Sequence, residues 1–514
     1  MPTSVNVKKG CLLGIDIGTY ESKGALVSPD GEVLCTHSVP HRMIIPRQGW
    51  AEHDAEKSWW GDFCAITRAL LQKARIDASE VLSVGCSTIG PCVVPIDKEG
   101  IPLRNAILYG IDTRAVDEIA ELNRRFGADE LFRRTGNALS AQSIGPKILW
   151  LKHHEPEIYA KAHKFVTGAT YLVGRLTGRW VIDKYTASCW GPLFDPETMD
   201  WAEDLCEGIV ERQRLADHDW TDAVAGTVTP EAAKSTGLAT GTPVIVGTTD
   251  ASAEGVSVGG VLPGYAMLMY GSTMFYIQMT DSPVRDGRLW SAPYLFPDTY
   301  AVMAGMATTG ALTRWFRDQL AQDLNPAEDG DNAYTALTRE AASIPPGSEG
   351  LVALPYFSGE RTPLNDPLAR GVFFGLTLAH TRAHMYRAIL ESVGHGIRHH
   401  LDLIGSLGHM PTKLLGVGGG TKNKPWLQMV SDISGVPQEI PSVTFGASYG
   451  DAFLAGLGIG LFESPRDIFR WIKEVETITP VVERKALYDK YHRIYLELYN
   501  RNSDLMHELS SMVR

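Results

Sequence analysis

The sequence lacks the features of a membrane, secreted or metal-clustered protein. No stretch approaches the ~18 consecutive apolar residues that a membrane-spanning helix needs. Asp16 interrupts the first apolar segment, so we do not expect a signal peptide. The seven cysteines are an odd number without metal-like spacing, which indicates reduced thiols in a cytoplasmic protein. The pattern Gly-x-x-x-x-Gly-Lys-Ser/Thr is also absent, and this excludes the P-loop class of nucleotide-binding proteins.

The sequence also lacks an excess of positive charge. Its formal net charge is −12, with 48 Lys and Arg against 60 Asp and Glu, so neither nucleic acid nor a membrane surface is an expected partner. A polyanionic ligand must then be held by local groups such as backbone N–H groups, a metal ion and a few basic side chains. At 514 residues the chain is too long for one core, and we expect two large domains.

A strand, a turn of small residues and a second strand occur near the start of each half of the chain. The first set covers residues 11–15, 16–19 and 22–28, and the second covers residues 265–270, 271–273 and 274–279. A third strand over 32–40 and a helix over 54–74 follow the first set. Alternation of helices and strands in both halves predicts an α/β architecture. We place the domain boundary near residues 255–264, where Gly-Gly and Pro-Gly pairs break the pattern.

Each of these turns is a candidate phosphate loop. In Asp16-Ile17-Gly18-Thr19, glycine allows close approach of a phosphate, Thr19 adds a hydroxyl, and Asp16 is suited to hold Mg²⁺ through water. Gly271-Ser272-Thr273 is the corresponding turn in the second half. The alternative is that both are ordinary tight turns between strands.

Asp250 is the candidate catalytic base. An apolar strand predicted over residues 243–249 delivers this carboxylate to its C-terminal end, where it is suited to accept a proton from a hydroxyl group. The alternative is that Asp250 is only the N-cap of the next helix.

Two further segments carry unusual combinations of residues. A strand over residues 414–417 leads into Gly418-Gly419-Gly420 and a helix through Ile433, and glycines at such a place let a flat ligand lie against the backbone. Residues 354–363 read Leu-Pro-Tyr-Phe-Ser-Gly-Glu-Arg-Thr-Pro. Alone, both segments are compatible with ordinary connecting loops.

The second of these segments resembles a signature of the FGGY carbohydrate kinases, and the Lys-x-x-Trp pattern at Lys147 and Trp150 resembles another. The resemblance covers about residues 11–460. It implies two actin-like, ribonuclease-H-like ATPase domains flanking a central cleft: residues 1–258 as the sugar-binding domain and residues 259–514 as the nucleotide-binding domain. It implies ATP and Mg²⁺ as cofactors, Asp16 near the metal and Asp250 as the base. The nucleotide-binding residues implied by it are Gly18, Thr19, Lys23, Gly271, Ser272, Thr273, Gly310, Arg314, Gly419, Gly420 and Asn423.

The acceptor is less well defined by the resemblance. Glycerol kinases carry an Arg-Glu pair after the strand that here spans 81–86, and typical xylulose kinases carry Met-His, whereas this chain has Gly90-Pro91. Asp112 and Arg114 follow the family pattern and are expected, with Gly90, Pro91 and Asp250, to border the sugar. We expect a ketopentose such as xylulose; another polyol, ketose or aldonic acid is the alternative. From other classes, an actin-like ATPase and a non-catalytic sugar sensor remain open, as does a homodimer.

Overall fold

The computed structural model describes residues 10–324, 333–442 and 445–512. Two compact units are present, the first comprising Met1–Val261, Asp281–Ala301 and Thr444–Lys473 and the second comprising Leu262–Thr280, Val302–Val443 and Glu474–Arg514.

The strands of the described residues are β1 (Cys11–Ile17), β2 (Glu21–Val27), β3 (Val33–Pro40), β4 (Glu52–His53), β5 (Val81–Thr88), β6 (Val94–Ile96), β7 (Ala106–Ile107), β8 (Lys164–Val166), β9 (Val181–Asp183), β10 (Phe194–Asp195), β11 (Asp200–Trp201), β12 (Asp217–Asp219), β13 (Val224–Thr227), β14 (Pro243–Ile245), β15 (Thr248–Thr249), β16 (Tyr265–Tyr270), β17 (Met274–Thr280), β18 (Trp290–Pro293), β19 (Tyr300–Met306), β20 (Val352–Leu354), β21 (Val372–Phe374), β22 (Lys413–Val417), β23 (Gln438–Pro441) and β24 (Val475–Ile478).

The α-helices of the described residues are α1 (Asp62–Ala74), α2 (Val116–Phe126), α3 (Ala128–Thr135), α4 (Ile144–His154), α5 (Pro156–Lys161), α6 (Gly168–Thr177), α7 (Lys184–Ser188), α8 (Glu203–Cys206), α9 (Pro230–Thr236), α10 (Asp250–Ser257), α11 (Gly310–Leu320), α12 (Ala333–Ala342), α13 (Arg382–Ser406), α14 (Lys424–Ser434), α15 (Ala447–Gly458) and α16 (Lys485–Met512).

A mixed sheet forms the centre of the first unit. Its strands lie in the order β13, β14, β5, β1, β2 and β3, and β15 pairs with β5. β1 and β2 form an antiparallel hairpin, whereas β5 runs parallel to β1. Leu13 and Ile15 of β1 share one buried core with Phe63 and Ile66 of α1. The predicted strands at the start of the chain are therefore confirmed.

The helix predicted over residues 54–74 is present in two parts. A π-helical segment, Ala55–Gly61, leads directly into α1, and Asp54 caps it by accepting a backbone N–H bond. Trp59 and Phe63 are fully buried, as expected for apolar residues that repeat with the helical period.

Helix α15 packs unusually closely on this sheet. A Cβ atom at Gly14 would lie 1.8 Å from the backbone oxygen of Ser448, and one at Gly85 would lie 2.2 Å from that of Asp451. Only glycine permits this contact, which brings a segment late in the sequence into the first unit.

The second unit repeats the strand arrangement of the first. Six of its strands lie in the order β19, β17, β16, β22, β23 and β24. β16 and β17 form an antiparallel hairpin, and β22 runs parallel to β16, as β5 does to β1. The strand–turn–strand pattern predicted for the second half is thus confirmed.

The C-terminal tail is only partly helical. The strand β24 precedes α16 and pairs with β23. Helix α16 packs against the signature segment, where the Tyr356 hydroxyl donates a 2.9 Å hydrogen bond to that of Tyr495.

The compact units do not follow a single cut of the chain. Residues 281–301 and 444–473 group with the first unit, because segments such as α15 pack on the first sheet. The division into a sugar-binding domain, 1–258, and a nucleotide-binding domain, 259–514, stays a prediction about function.

Candidate functional site

The turn between β1 and β2 forms the first candidate loop. The N–H of Gly18 donates a 3.0 Å hydrogen bond to the oxygen of Glu21 and closes the turn. A Cβ atom at Gly18 would lie 2.8 Å from the same oxygen, so the turn requires glycine. Thr19 follows, with its hydroxyl 3.3 Å from that of Tyr109.

Asp16 lies near the C-terminal end of β1, opposite Lys23 of β2 in the strand register. Burial raises the pKa of Asp16 well above its usual range, and repulsion from Asp250 and Glu254 raises it further. Lys23 and a 3.4 Å hydrogen bond from Ser87 act in the opposite direction. The structure therefore brings Asp16, Lys23 and Asp250 together in one acidic cluster.

The backbone that leads to Asp250 differs from the prediction. The expected continuous strand over 243–249 is wrong: β14 and β15 are separate, because the chain turns at Gly247, whose φ is 73° and whose Cβ atom would lie 2.1 Å from the oxygen of Cys86. Thr249 is the N-cap of α10, and Asp250 is the first residue of the helix.

The protonation of Asp250 is strongly affected by its surroundings. Burial raises its pKa to about 7, with a contribution from the charge of Glu254, while a 2.8 Å bond from the N–H of Ala251 favours the ionised form. Burial likewise raises the pKa of Glu254. A carboxyl group with a pKa in this range can exchange a proton near neutral pH.

Asp451 is a fourth carboxyl group of the cluster, and sequence reasoning missed it. It lies on α15, where the sequence analysis places no candidate residue, and its Oδ2 accepts a 2.7 Å hydrogen bond from Ser87. Its Oδ1 is buried without a partner among the described residues. Burial and the charge of Asp16 raise its pKa well above the usual range. The detectable signal was one acidic residue in an otherwise apolar, small-residue helix.

Gly90 and Pro91 lie beside the segment that carries the candidate base. A Cβ atom at Gly90 would be 2.6 Å from Cγ2 of Thr249, so Gly90 is packed against the residue before Asp250. Pro91 is buried.

Asp112 and Arg114 form a buried ion pair of 2.7 Å, and Arg114 also lies 2.9 Å from Glu52. The Arg114 guanidinium stands over Trp50 at 4.0 Å from the ring centre. Asp112 accepts a 2.7 Å bond from the N–H of Ala51. Asp112 is thus paired within the protein, whereas Nη1 of Arg114 is buried without a hydrogen-bond partner among the described residues. The proposed contact of both side chains with a sugar stays a prediction.

In the second unit, the turn Gly271-Ser272-Thr273 connects β16 and β17 and contacts the start of α11. The N–H of Gly310 donates a 2.9 Å bond to the oxygen of Gly271, and a Cβ atom at Gly310 would lie 2.6 Å from that oxygen. Arg314 is exposed one turn further along α11. The structure therefore brings the predicted loop and Gly310 together.

The glycine loop after β22 contains two different kinds of position. Gly418 has a φ of 90°, which favours glycine. A Cβ atom at Gly419 would meet nothing within 4 Å, whereas one at Gly420 would lie 2.7 Å from Cβ of Tyr270. Asn423 caps α14 through a 3.1 Å bond from the N–H of Trp426.

The signature segment of residues 354–363 contacts the backbone just before α11. Glu360 is buried and accepts bonds from the N–H groups of Ala307, at 2.8 Å, and Arg361, at 2.7 Å. Burial raises the pKa of Glu360 to about 7.

Neither a dense metal-ligand group nor a membrane-spanning helix is found in the part of the chain that the structure describes. In that part, no three His, Cys, Asp or Glu side chains are grouped closely enough to hold a metal ion directly. No described helix is long and apolar enough to cross a membrane.

Comparison with known proteins identifies the class of this fold and site. Profiles of the FGGY family of carbohydrate kinases match residues 11–256 with its N-terminal domain and residues 266–459 with its C-terminal domain. The chain belongs to the FGGY family of carbohydrate kinases and is an ATP-dependent sugar kinase with two actin-like domains.

Individual relatives carry different names. The chain is 27 % identical to the xylulose kinase of Bacillus subtilis, over 97 % of this chain and 99 % of that protein. It is 28 % identical to the gluconokinase of the same organism, over 95 % of both. A crystal structure of xylulose kinase from Rhodospirillum rubrum has a TM-score of 0.90 and 32 % identity, covering 97 % of this chain and all of that one.

Proposed function

We propose that this kinase transfers the γ-phosphoryl group of ATP to a terminal hydroxyl of a ketose, with a ketopentose such as xylulose as its preferred acceptor. The similarity to xylulose kinases over almost the whole chain supports this choice of acceptor. The observation that carries the mechanism is the half-buried carboxyl group of Asp250, which stands among other acids and has a pKa raised to about 7.

In this proposal Asp250 is the general base. Its ionised carboxylate accepts the proton of the acceptor hydroxyl as that oxygen forms a bond to the γ-phosphorus and the bond to the leaving ADP oxygen breaks. A pKa near the working pH gives the group both a substantial ionised fraction and enough basicity to take the proton. Gly90, packed beside Thr249, and the adjacent Pro91 would then border the acceptor.

The acidic cluster fits a divalent cation. Four carboxyl groups, Asp16, Asp250, Glu254 and Asp451, repel one another, and one oxygen of Asp451 has no partner among the described residues. Because no three acids there are grouped as direct ligands, Asp16 would hold Mg²⁺ through its water shell, which suits an ion that dehydrates reluctantly. When bound, the ion would offset negative charge on the phosphates.

The nucleotide would be bound by backbone groups and hydroxyls. Gly18 and Thr19 of the first unit and Ser272 of the second belong to turns suited to phosphate, with Lys23 as a nearby cation. Open space at Gly419 supports this glycine loop as the place of adenine. Most of the catalysis would then come from positioning and from stabilising charge.

A screen of ADP release tests the proposal. We expect the highest kcat/KM among ketopentoses and a poor reaction with glycerol, because the Gly90-Pro91 pair offers no charged contact for a small triol. Aldonic acids belong in the screen because a gluconokinase is similar at the same level. A glycerol kcat/KM equal to that of every ketose would contradict the proposed acceptor.

A further inference from the structure

Two histidines that have no role in the proposed chemistry contact the backbone of the first candidate phosphate loop, residues 16–19. Nε2 of His41 lies 3.0 Å from the carbonyl oxygen of Gly18, and Nε2 of His53 lies 3.1 Å from that of Thr19. A carbonyl oxygen can only accept, so each of these nitrogens carries a proton and donates it. The two rings stand edge to face, with centres 5.0 Å apart.

Each imidazole is fixed by a second partner on its other nitrogen. The indole N–H of Trp59 donates a 3.2 Å bond to Nδ1 of His53, which therefore has its proton on Nε2 only. Burial and the neighbouring His41 lower the pKa of His53 to about 4, in agreement with a neutral ring. Nδ1 of His41 lies 2.9 Å from Asp62, a buried carboxyl group that also accepts a 2.7 Å bond from Ser22.

These contacts dictate where the loop amides point. In a trans peptide, the carbonyl of one residue and the N–H of the next point in opposite directions. Because the oxygens of Gly18 and Thr19 face the histidines, the N–H groups of Thr19 and Tyr20 face away from them. The oxygen of Tyr20 is occupied too, since it accepts a 2.9 Å bond from the backbone N–H of His41.

The amides left over are the N–H groups of Thr19 and Tyr20. Among the described residues, no hydrogen bond of the Thr19 or Tyr20 N–H groups is formed, and Tyr20 is exposed. Successive amides turned outward from a tight turn are a favourable arrangement for an anion.

We propose that His41 and His53 are positioning residues of the phosphate loop. By holding the carbonyl oxygens of Gly18 and Thr19, they direct the loop amides toward the phosphates of the nucleotide. This inference rests on the proposed function, because it takes the loop to be a phosphate site. Neither histidine touches the reacting atoms.

Paired amide substitutions test this role. An asparagine amide reaches about as far as Nδ1 of the histidine that it replaces, whereas a glutamine amide reaches about as far as Nε2. His41→Asn and His53→Asn therefore lose the contact with the loop oxygens, and His41→Gln and His53→Gln can retain it. His37→Asn and His37→Gln are matched controls, since His37 lies on β3, four residues before His41, but contacts Lys73.

The readouts are the dissociation constants of MgADP and of adenosine, by titration calorimetry, with the melting temperature of each variant. We expect each Asn variant to bind MgADP about tenfold more weakly, since one hydrogen bond is at stake, and each Gln variant to stay within about threefold of the native protein. Adenosine, which has no phosphate, should bind equally to all of them. If the Asn variant of one histidine does not fold, the comparison of the Asn and Gln variants at the other histidine tests the inference.

Two results would overturn the inference while the proposed function stands. One is that, at both histidines, the Asn variant and the Gln variant bind MgADP with equal affinity, whether that affinity is native-like or weakened. A purely structural role of the histidine would not distinguish asparagine from glutamine. The other is an equal loss for adenosine and MgADP. A native protein that binds no MgADP at all would instead overturn the proposed function, and the inference with it.

Discussion

The hydroxyl of Ser87 donates a 2.7 Å hydrogen bond to the carboxyl group of Asp451. The same hydroxyl oxygen is 3.4 Å from Asp16. A serine hydroxyl has one proton, so it serves one of the two acids at a time, and the shorter contact is with Asp451. Burial raises the pKa of both acids. Burial thus favours the neutral form of Asp451, while its Oδ2 fixes the hydroxyl of Ser87.

A neutral Asp451 predicts a mild effect of Asp451→Asn. Asparagine keeps the shape and the oxygen that accepts the bond from Ser87, so kcat should stay within a few-fold of the native value. Asp451→Ala should destabilise the protein by ~1–3 kcal/mol, because it removes that acceptor from a buried hydroxyl. Chemical denaturation and steady-state kinetics measure both effects. A hundredfold lower kcat in Asp451→Asn would show that the ionised carboxylate is required.

The raised pKa of Asp250 predicts a pH-dependent stability of the metal-free protein. A carboxyl group with a folded-state pKa of about 7 contributes stability that is fully present below its unfolded value and is lost as the pH rises through 7. Between the ordinary carboxyl pKa of about 4 and pH 7, the native protein should therefore lose stability faster than Asp250→Asn does, by up to ~1.4 kcal/mol per pH unit.

Urea unfolding in EDTA at several pH values measures this difference. Glu360→Gln is the comparison variant, since burial also raises the pKa of Glu360 to about 7, but at a place outside the acidic cluster. Added Mg²⁺ should reduce the pH dependence of the native protein and leave that of Asp250→Asn less affected. Parallel pH profiles for the native protein and Asp250→Asn would contradict the prediction.

Local patterns in the sequence predicted the strands and the turns well. β1, β2, β16 and β17 are short apolar runs bounded by turn residues, and such runs specify strands through nearby residues alone. The break at Gly247 was not predictable in this way. Its cause is the backbone of Cys86 in a neighbouring strand, which is distant in sequence.

The candidate site was predicted only in part for the same reason. Asp16 lies near the end of β1 and Asp250 follows β15, so their position at a strand end could be predicted. Asp451 and the two histidines, His41 and His53, reach the site through packing between distant segments. The contact of α15 with Gly14 brings Asp451 beside Ser87, and no spacing in the sequence records that contact.

Asp16→Ala should cut turnover severely and weaken the dependence on Mg²⁺, while sugar binding survives. The physical reason is that the variant loses the carboxylate proposed to hold the hydrated metal, which is the largest positive charge in such a site. Asp30→Ala, in the exposed turn after β2, is the control. Activity like that of the native protein at low Mg²⁺ would remove Asp16 from the surroundings of the metal.

Gly419→Val and Gly420→Val should have different effects. The space at Gly419 is open, so valine there should leave the melting temperature unchanged and weaken nucleotide binding by occupying the proposed adenine site. At Gly420 the new side chain meets Tyr270, so this variant should lose stability whether or not adenine binds there. Melting curves and nucleotide titrations separate the two. Native-like ATP affinity in Gly419→Val would refute the adenine assignment.

The charge of Asp250 should be needed for turnover and not for folding. Asp250→Asn keeps the shape of the side chain and the bond from Ala251 but removes the proton acceptor, so kcat should fall ~10²–10⁴-fold with little change in ATP affinity. A helix-cap role predicts a different result. In the structure Thr249, not Asp250, occupies the N-cap of α10. If Asp250 only stabilised the start of the helix, Asp250→Asn would keep the native kcat.

The kinetics of Asp250→Asn need a control at a carboxyl group outside the site. Asp219→Asn, at an exposed position of β12, is the matched control and should leave kcat, both KM values and the melting temperature unchanged. A kcat of Asp250→Asn within a few-fold of that control would exclude Asp250 as the base, because loss of a general base costs at least ~10²-fold.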